Sequence, residues 1–139
     1  MLNATGIYRG LAAALMLSAA PAPADEDPLA AYLWEARPVV VFADNARDPR
    51  FQEQMQGLED RAAGLEARDV VVLTDTDPAA REPLRRKLRP RGFMLVIIDK
   101  DGAIIQRAPR PISADALIRL IDRTPIRRRE IDERRGLTD

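Results

Sequence analysis

The chain has 139 residues, carries 22 Lys and Arg against 22 Asp and Glu, and contains no Cys and no His. This balance of charge gives no general attraction to nucleic acid or to an anionic lipid surface. The lack of Cys and His excludes thiol redox chemistry, catalysis by a Cys or His nucleophile–base pair, and zinc sites built from those ligands.

An export signal is predicted at residues 1–24. Arg9 precedes a short apolar stretch from Leu11 to Ala20, and Ala22-Pro23-Ala24 has the small-residue pattern of a cleavage site. The apolar stretch is about half of the ~20 residues that span a bilayer. We therefore expect cleavage after Ala24, no transmembrane segment in the mature chain, and a periplasmic or secreted location.

The first part of the mature chain predicts a short helix, a strand and a longer helix. Asp27-Pro28 is typical of a helix start, and Trp34, near the end of this helix, is expected to cover an edge of the core, with ligand stacking as the alternative. The apolar run 38–43 predicts a strand buried on both faces. Asp48-Pro49 predicts the cap and first residue of a helix whose apolar stripe reaches Leu65.

The second part predicts two buried strands, a short helix, an edge strand and a last helix. The corresponding segments are 70–73, 93–98, a helix starting at Pro83, an edge strand over 103–108, and a helix that Ser113 caps and Thr124-Pro125 ends. Asp99 and Asp101 lie between the third and fourth strands and are interpreted as turn residues beside Gly102.

This order of elements predicts an α/β, thioredoxin-like fold. The first two strands are joined by a helix and are therefore parallel, with a right-handed crossover, and the hairpin strand joins beside the first strand. We expect a central mixed sheet of about four strands, β-α-β-α-β-β-α, with helices on both faces, over residues 25–125. Residues 126–139 are expected to form a charged C-terminal tail, either solvated or extending the last helix.

A ligand in such a sheet binds beyond the C-terminal ends of the parallel strands, where thioredoxin would place its Cys pair. The polar residues expected there are Asp44, Asn45, Arg47, Asp75, Asp77 and Arg91. They are interpreted either as loop and capping residues or as a site for a ligand or a divalent cation. No catalytic residue and no cofactor is predicted, and whether a metal binds is left open.

Two basic clusters are the remaining candidates for a binding surface. One surrounds the short helix between Arg81 and Arg91, and the other is 127–129. Arg127 and Arg128 could pin the tail to an acid such as Asp122 or Glu130, or could hold an acidic partner. Solvated surface and a patch for an acidic protein or polyanion are both open. Aromatic residues are nearly absent there, so nucleic acid is not an expected partner.

The charged and aromatic positions also form a pattern. Its pieces are Trp34-x-x-Arg37, Arg68-Asp69, Gly92-Phe93, Lys100-Asp101-Gly102 and Ile121-Asp122-x-x-Pro125-x-Arg127-Arg128-x-Glu130. The pattern resembles an uncharacterised family of exported bacterial domains, sometimes called P-DUDES, with similar domains in sushi-repeat-containing extracellular-matrix proteins. The resemblance implies a thioredoxin- or peroxiredoxin-like fold and carries over no catalytic residue. Ile126, Ile131 and Thr124 stand where that family commonly has Met, and Asp99 where Gly is usual.

The sequence therefore favours an exported thioredoxin-like module without redox cysteines, which binds an unknown protein or polyanionic partner outside the cytoplasm. The alternative is an enzyme or metal-binding protein that uses carboxylates at the C-terminal end of the sheet, around Asp44 and Asp75.

Overall fold

The computed structural model describes residues 26–136. The export segment predicted at 1–24 lies outside these residues. Strands β1 to β4 are Arg37–Phe42, Val70–Asp75, Met94–Ile98 and Ile104–Ala108. Helices α1 to α5 are Pro49–Asp60, Ala62–Glu66, Pro83–Leu88, Ala114–Asp122 and Pro125–Gly136, and two short 3-10 helices lie at Ala30–Tyr32 and Pro78–Ala80.

The four strands form one mixed sheet in the order β2-β1-β3-β4. β1 and β2 are parallel, with Arg37 opposite Val70 and Phe42 opposite Asp75. β3 runs antiparallel to both β1 and β4. The structure thus confirms the predicted α/β class, the mixed sheet of four strands and the place of the hairpin strand beside β1.

The core has two layers because β1 and β3 are covered on both faces. Val39 and Val41 point toward α1, α2 and α4, where the buried partners include Leu58 and Leu117. On the opposite face, Val40, Phe42, Val96 and Ile98 pack with Leu29 and Leu88. Burial on both faces explains the continuous apolar runs of these two strands, since all their residues except the half-buried Met94 are buried.

The helix predicted from Pro49 to Leu65 is divided in two. Arg61 has φ −120° and ψ 23°, which ends α1 and precedes α2. The break leaves Ala62 exposed, although it belongs to the predicted apolar stripe, while Leu65 still reaches the core. The apolar spacing therefore predicted the two ends of the helical region but not the turn between them.

Trp34 does not cover the core, and that expectation is wrong. Its side chain is 63% exposed, while Tyr32 packs against the buried cluster on that face. The backbone of Trp34 takes a left-handed conformation with φ 62°, and its N–H donates to the carbonyl oxygen of Lys100 at 2.8 Å. This turn carries the indole ring outward.

Residues 125–136 form the helix α5, so the expected boundary between domain and tail at 125/126 falls at the start of this helix. Its residue Arg127 is buried, and the first turns of α5 therefore pack against the domain. Across 26–136, no helix is both long enough and apolar enough to cross a membrane.

Candidate functional site

Arg37 begins β1 and is completely buried. Its Nε donates to Asp99 Oδ1 at 2.9 Å, and its Nη1 donates to the carbonyl oxygen of Arg68 at 2.9 Å. The two terminal nitrogens also donate to the two carboxylate oxygens of Glu130, at 3.2 and 3.1 Å. A buried guanidinium is costly unless it is paired and hydrogen-bonded, and Arg37 meets both conditions.

Glu130, on α5, also contacts two further cationic side chains. Lys100 Nζ lies 2.9 Å from Oε1, and Arg127 Nη1 donates to Oε2 at 3.3 Å. Burial alone would raise the pKa of Glu130, but the hydrogen bonds from Lys100, Arg37 and Arg127 outweigh burial and hold its pKa at about 2. Glu130 therefore stays ionised throughout the physiological range.

The same network continues outward through two more ion pairs. Lys100 Nζ donates to Asp69 Oδ2 at 2.8 Å, and Arg68 forms a two-pronged pair with Asp122 at 2.8 and 2.9 Å. The hydrogen bonds from Arg68 are the main reason that the pKa of Asp122 is lowered. We call the whole group the Arg37 cluster; its cations are Arg37, Arg68, Lys100 and Arg127, and its carboxylates are Asp69, Asp99, Asp122 and Glu130.

The Arg37 cluster ties together five parts of the fold. It joins the starts of β1 and β2, the end of β3, the end of α4 and the first turns of α5. Within 26–136, no buried polar side-chain atom lacks a hydrogen-bond partner. Because the charges are matched and their partners are in place, we interpret this cluster as a structural clamp.

The two candidate arginines of the C-terminal segment, Arg127 and Arg128, differ in their surroundings. Arg127 is buried and contacts Asp122 and Glu130, which are the two acids considered from the sequence. Arg128 is exposed. Asp99, predicted to be only a turn residue, is buried and accepts the hydrogen bond from Arg37.

Sequence reasoning gave no role to Arg37, Arg68, Asp69 or Lys100, although all four belong to the pattern that carried the family resemblance. In the structure, those positions meet in the Arg37 cluster. The local signal available was that Arg37 directly precedes the apolar run 38–43.

The opposite end of the sheet holds the predicted ligand-binding residues. Asp75 is buried and accepts from Arg85, with Oδ1 3.0 Å from Nη2 and Oδ2 3.1 Å from Nε. Arg85 Nη2 also donates to the carbonyl oxygens of Ala43 and Asp75, and its guanidinium lies 5.4 Å from the ring centre of Phe42. Arg85 therefore bridges the ends of β1 and β2.

The other predicted residues at this end are dispersed. Asp77 accepts from the N–H of Ala79 at 3.2 Å and caps the 3-10 helix that follows. Asn45 Oδ1 accepts from the N–H of Arg47 at 2.9 Å within an exposed loop. Asp44, Arg47 and Arg91 are exposed.

The neighbouring Asp48 caps α1 as predicted, accepting from the N–H of Arg50 at 2.9 Å. The hydrogen bond from the Arg50 side chain is the main reason that the pKa of Asp48 is lowered. In the part of the chain that the structure describes, no group of three or more His, Cys, Asp or Glu residues could hold a metal ion. Asp75 would have to release Arg85 before it could bind a cation.

Comparison with known proteins gives the family and the fold. Residues 28–130 match the family described as Domain of unknown function (DUF4174), and the chain belongs to that family. The match includes Arg37 and ends at Glu130, so it spans the Arg37 cluster. No curated protein matches the sequence.

Solved structures of thioredoxin-like proteins are similar in fold. The reduced 2-Cys peroxiredoxin of Plasmodium vivax shares 12% identity with a TM-score of 0.55, covering 68% of this chain and 80% of that one. A chloroplastic thioredoxin z shares 23% identity with a TM-score of 0.50, covering 63% of this chain and 76% of that one. Likeness at this level of identity establishes a thioredoxin-like fold, which this chain builds without a cysteine.

Proposed function

We propose that this chain is an exported, thioredoxin-like binding or adaptor module that acts outside the cytoplasm and performs no thiol chemistry. One observation carries the proposal. At the end of the sheet where the fold predicts a reactive group, Asp75 is held by Arg85 and the loop after β1 supplies capping residues. Because the carboxylate of Asp75 is engaged in this way, we assign the function to recognition by the surface of the domain.

The export part of the proposal is supported by the sequence. The apolar stretch before Ala22-Pro23-Ala24 and the resemblance to exported P-DUDES and sushi-repeat-associated domains agree with a periplasmic or secreted location. The alternative, an enzyme or metal-binding protein using Asp44 and Asp75, requires an open carboxylate pair. Asp75 lies against Arg85, and Asp44 lies exposed in a separate loop.

The compartment is tested by expressing the full chain in its native host and measuring the mass of the protein in each fraction. We expect a chain beginning at Asp25 in the periplasm or the medium. A cytoplasmic protein that retains Met1 to Ala24 would contradict the export part of the proposal.

The binding role is tested on the purified mature chain. Assays of insulin disulfide reduction and hydrogen peroxide consumption should show no turnover above buffer, because no thiol is present to form a mixed disulfide. Chemical cross-linking in the host should join the exported chain to a protein of the same compartment, and the two purified proteins should re-form that complex. Turnover in either assay would overturn the proposal.

A further inference from the structure

β2 is the outermost strand of the sheet, and its own residues lack the usual protection of edge strands. Arg37 N–H donates to the carbonyl oxygen of Asp69, and Ala43 N–H donates to that of Asp75. Given the alternation along a strand, the backbone groups of Val70, Val72 and Thr74 face away from β1. Residues 70–74 contain no charge and no Pro, and their register with β1 is unbroken. Edge strands normally carry a charged residue, a Pro or a bulge, which prevents pairing with another chain.

Apolar grooves flank this edge on both faces of the sheet. On one face, Met55, Leu65, Val70 and Val72 line a groove of about 370 Å³. On the other face, a groove of about 490 Å³ is lined by residues that include Tyr32, Leu73, Pro83 and Leu84. A strand added to β2 would place alternate side chains into the two grooves.

Both grooves have acidic rims. Glu59 and Glu66 border the first groove, and Asp77 and Glu82 border the second. Among the described residues, the linings of both grooves contain no Lys or Arg. The exposed Arg81 lies between the lining residues Ala80 and Glu82 of the second groove and offsets part of its negative charge. Asp75 also lines the second groove, but its charge is matched by Arg85.

We propose that β2 binds an extended segment of a partner protein, with apolar residues at its centre and Lys or Arg at its ends, as an added strand. The apolar centre fills the two grooves, and the cations meet the acidic rims. The proposal rests on the proposed binding function and names the surface and the chemistry of the partner.

The test uses the fluorescently labelled peptide RKVLVLVKR, capped at both ends, and a control peptide with Glu at the four cationic positions. Binding to the mature chain is followed by fluorescence anisotropy at low and raised salt. We expect saturable binding of the cationic peptide, weakened by salt, and at least about tenfold weaker binding of the acidic peptide. Hydrogen exchange should show protection of residues 70–74 by the cationic peptide.

Three variants locate the site. Thr74→Pro removes an outward N–H and leaves the bonds to β1 in place, so it should weaken binding by about tenfold or more. Glu59→Lys with Glu66→Lys should weaken binding to a similar extent. Glu53→Lys, on α1 but lining a different depression beside Ile112, is the matched control and should bind as the unchanged chain does. Circular dichroism checks that each variant is folded.

Several results would overturn the inference: no binding of the cationic peptide, equal binding of the acidic peptide, protection away from 70–74, or unchanged binding by both the Thr74→Pro chain and the double Lys variant. A concentration-dependent dimer that Thr74→Pro abolishes would assign the edge to a second copy instead. Any of these results would contradict the added-strand inference but not the proposed binding function. Turnover of a disulfide or peroxide would contradict the binding function and would not test whether the peptide binds.

Discussion

Arg37 and Glu130 lie 93 positions apart and are joined by two hydrogen bonds, of 3.2 and 3.1 Å, between the first residue of β1 and a residue of α5. This pair makes the C-terminal helix part of the domain. The family match extends to residue 130, beyond the predicted end of the domain at 125, and includes both residues of this pair. The first turns of α5 are therefore part of the folded domain.

Arg127 and Arg128 provide a matched test of this clamp. Arg127→Ala should lower the free energy of unfolding by about 2 kcal/mol, because it removes charge-assisted hydrogen bonds to Asp122 and Glu130. It should also speed hydrogen exchange in α5. Arg128→Ala, at an exposed position, should change the free energy by no more than about 0.5 kcal/mol. Equal effects of the two changes on unfolding in urea would contradict the clamp.

Glu130 predicts a specific dependence of stability on pH. Its pKa is about 2 in the folded chain against an ordinary value of 4.5, so ionised Glu130 stabilises the fold fully above pH 4.5. This contribution is lost as the pH falls from 4.5 toward 2. Urea unfolding of the unchanged chain and of Glu130→Gln should therefore differ most above pH 4.5, and the difference should shrink below it. A difference that is constant with pH would show that Glu130 is not held in this way.

Leu58 tests the packing of α1 on the sheet. Leu58 is 3% exposed within the cluster that includes Val41 and Leu117. Leu58→Ala should lower the free energy of unfolding by about 2–5 kcal/mol, as other large-to-small core changes do. Glu59→Ala, the exposed neighbour on the same helix, should stay within about 0.5 kcal/mol. A loss of well under 1 kcal/mol at Leu58 would place the helix stripe elsewhere.

Trp34 gives an optical test of the turn before β1. As the single Trp, it reports its own surroundings, and the residue is 63% exposed. Its fluorescence in the folded chain should resemble that of indole in water and should be quenched readily by iodide. Blue-shifted emission that iodide does not quench would show that Trp34 covers the core, as first expected from the sequence.

The strands were predictable because their signals are local. Continuous apolar runs identified β1 and β3, and the order of the elements then defined the sheet. The exposed position of Trp34 was not predictable, because nothing in its residue type favours a left-handed backbone. That conformation costs about 1 kcal/mol or more and is held by the hydrogen bond to Lys100.

Most of the Arg37 cluster was not predictable for a different reason. The short-range contacts of Arg127 with Asp122 and Glu130 are the part that the sequence had suggested. The ion pairs of Arg37 join residues 62 and 93 positions apart, and helical or strand periodicity carries no information on such pairs. The same applies to Asp75, which the sequence placed at the correct end of the sheet. Whether Arg85 or a ligand would bind its carboxylate depends on how α3 packs, and the structure places Arg85 there.

The central claim is that the C-terminal end of the sheet is closed by Arg85 and that function lies in surface recognition. Paramagnetic broadening by Mn²⁺ tests this claim most directly, with ¹H–¹⁵N spectra of the mature chain recorded during the titration. We expect only weak, unsaturable broadening spread over exposed acids, and no selective loss at Asp75, because its carboxylate is paired with Arg85. Selective and saturable broadening at Asp75 and Asp44 would contradict the account and favour a metal site at the end of the parallel strands.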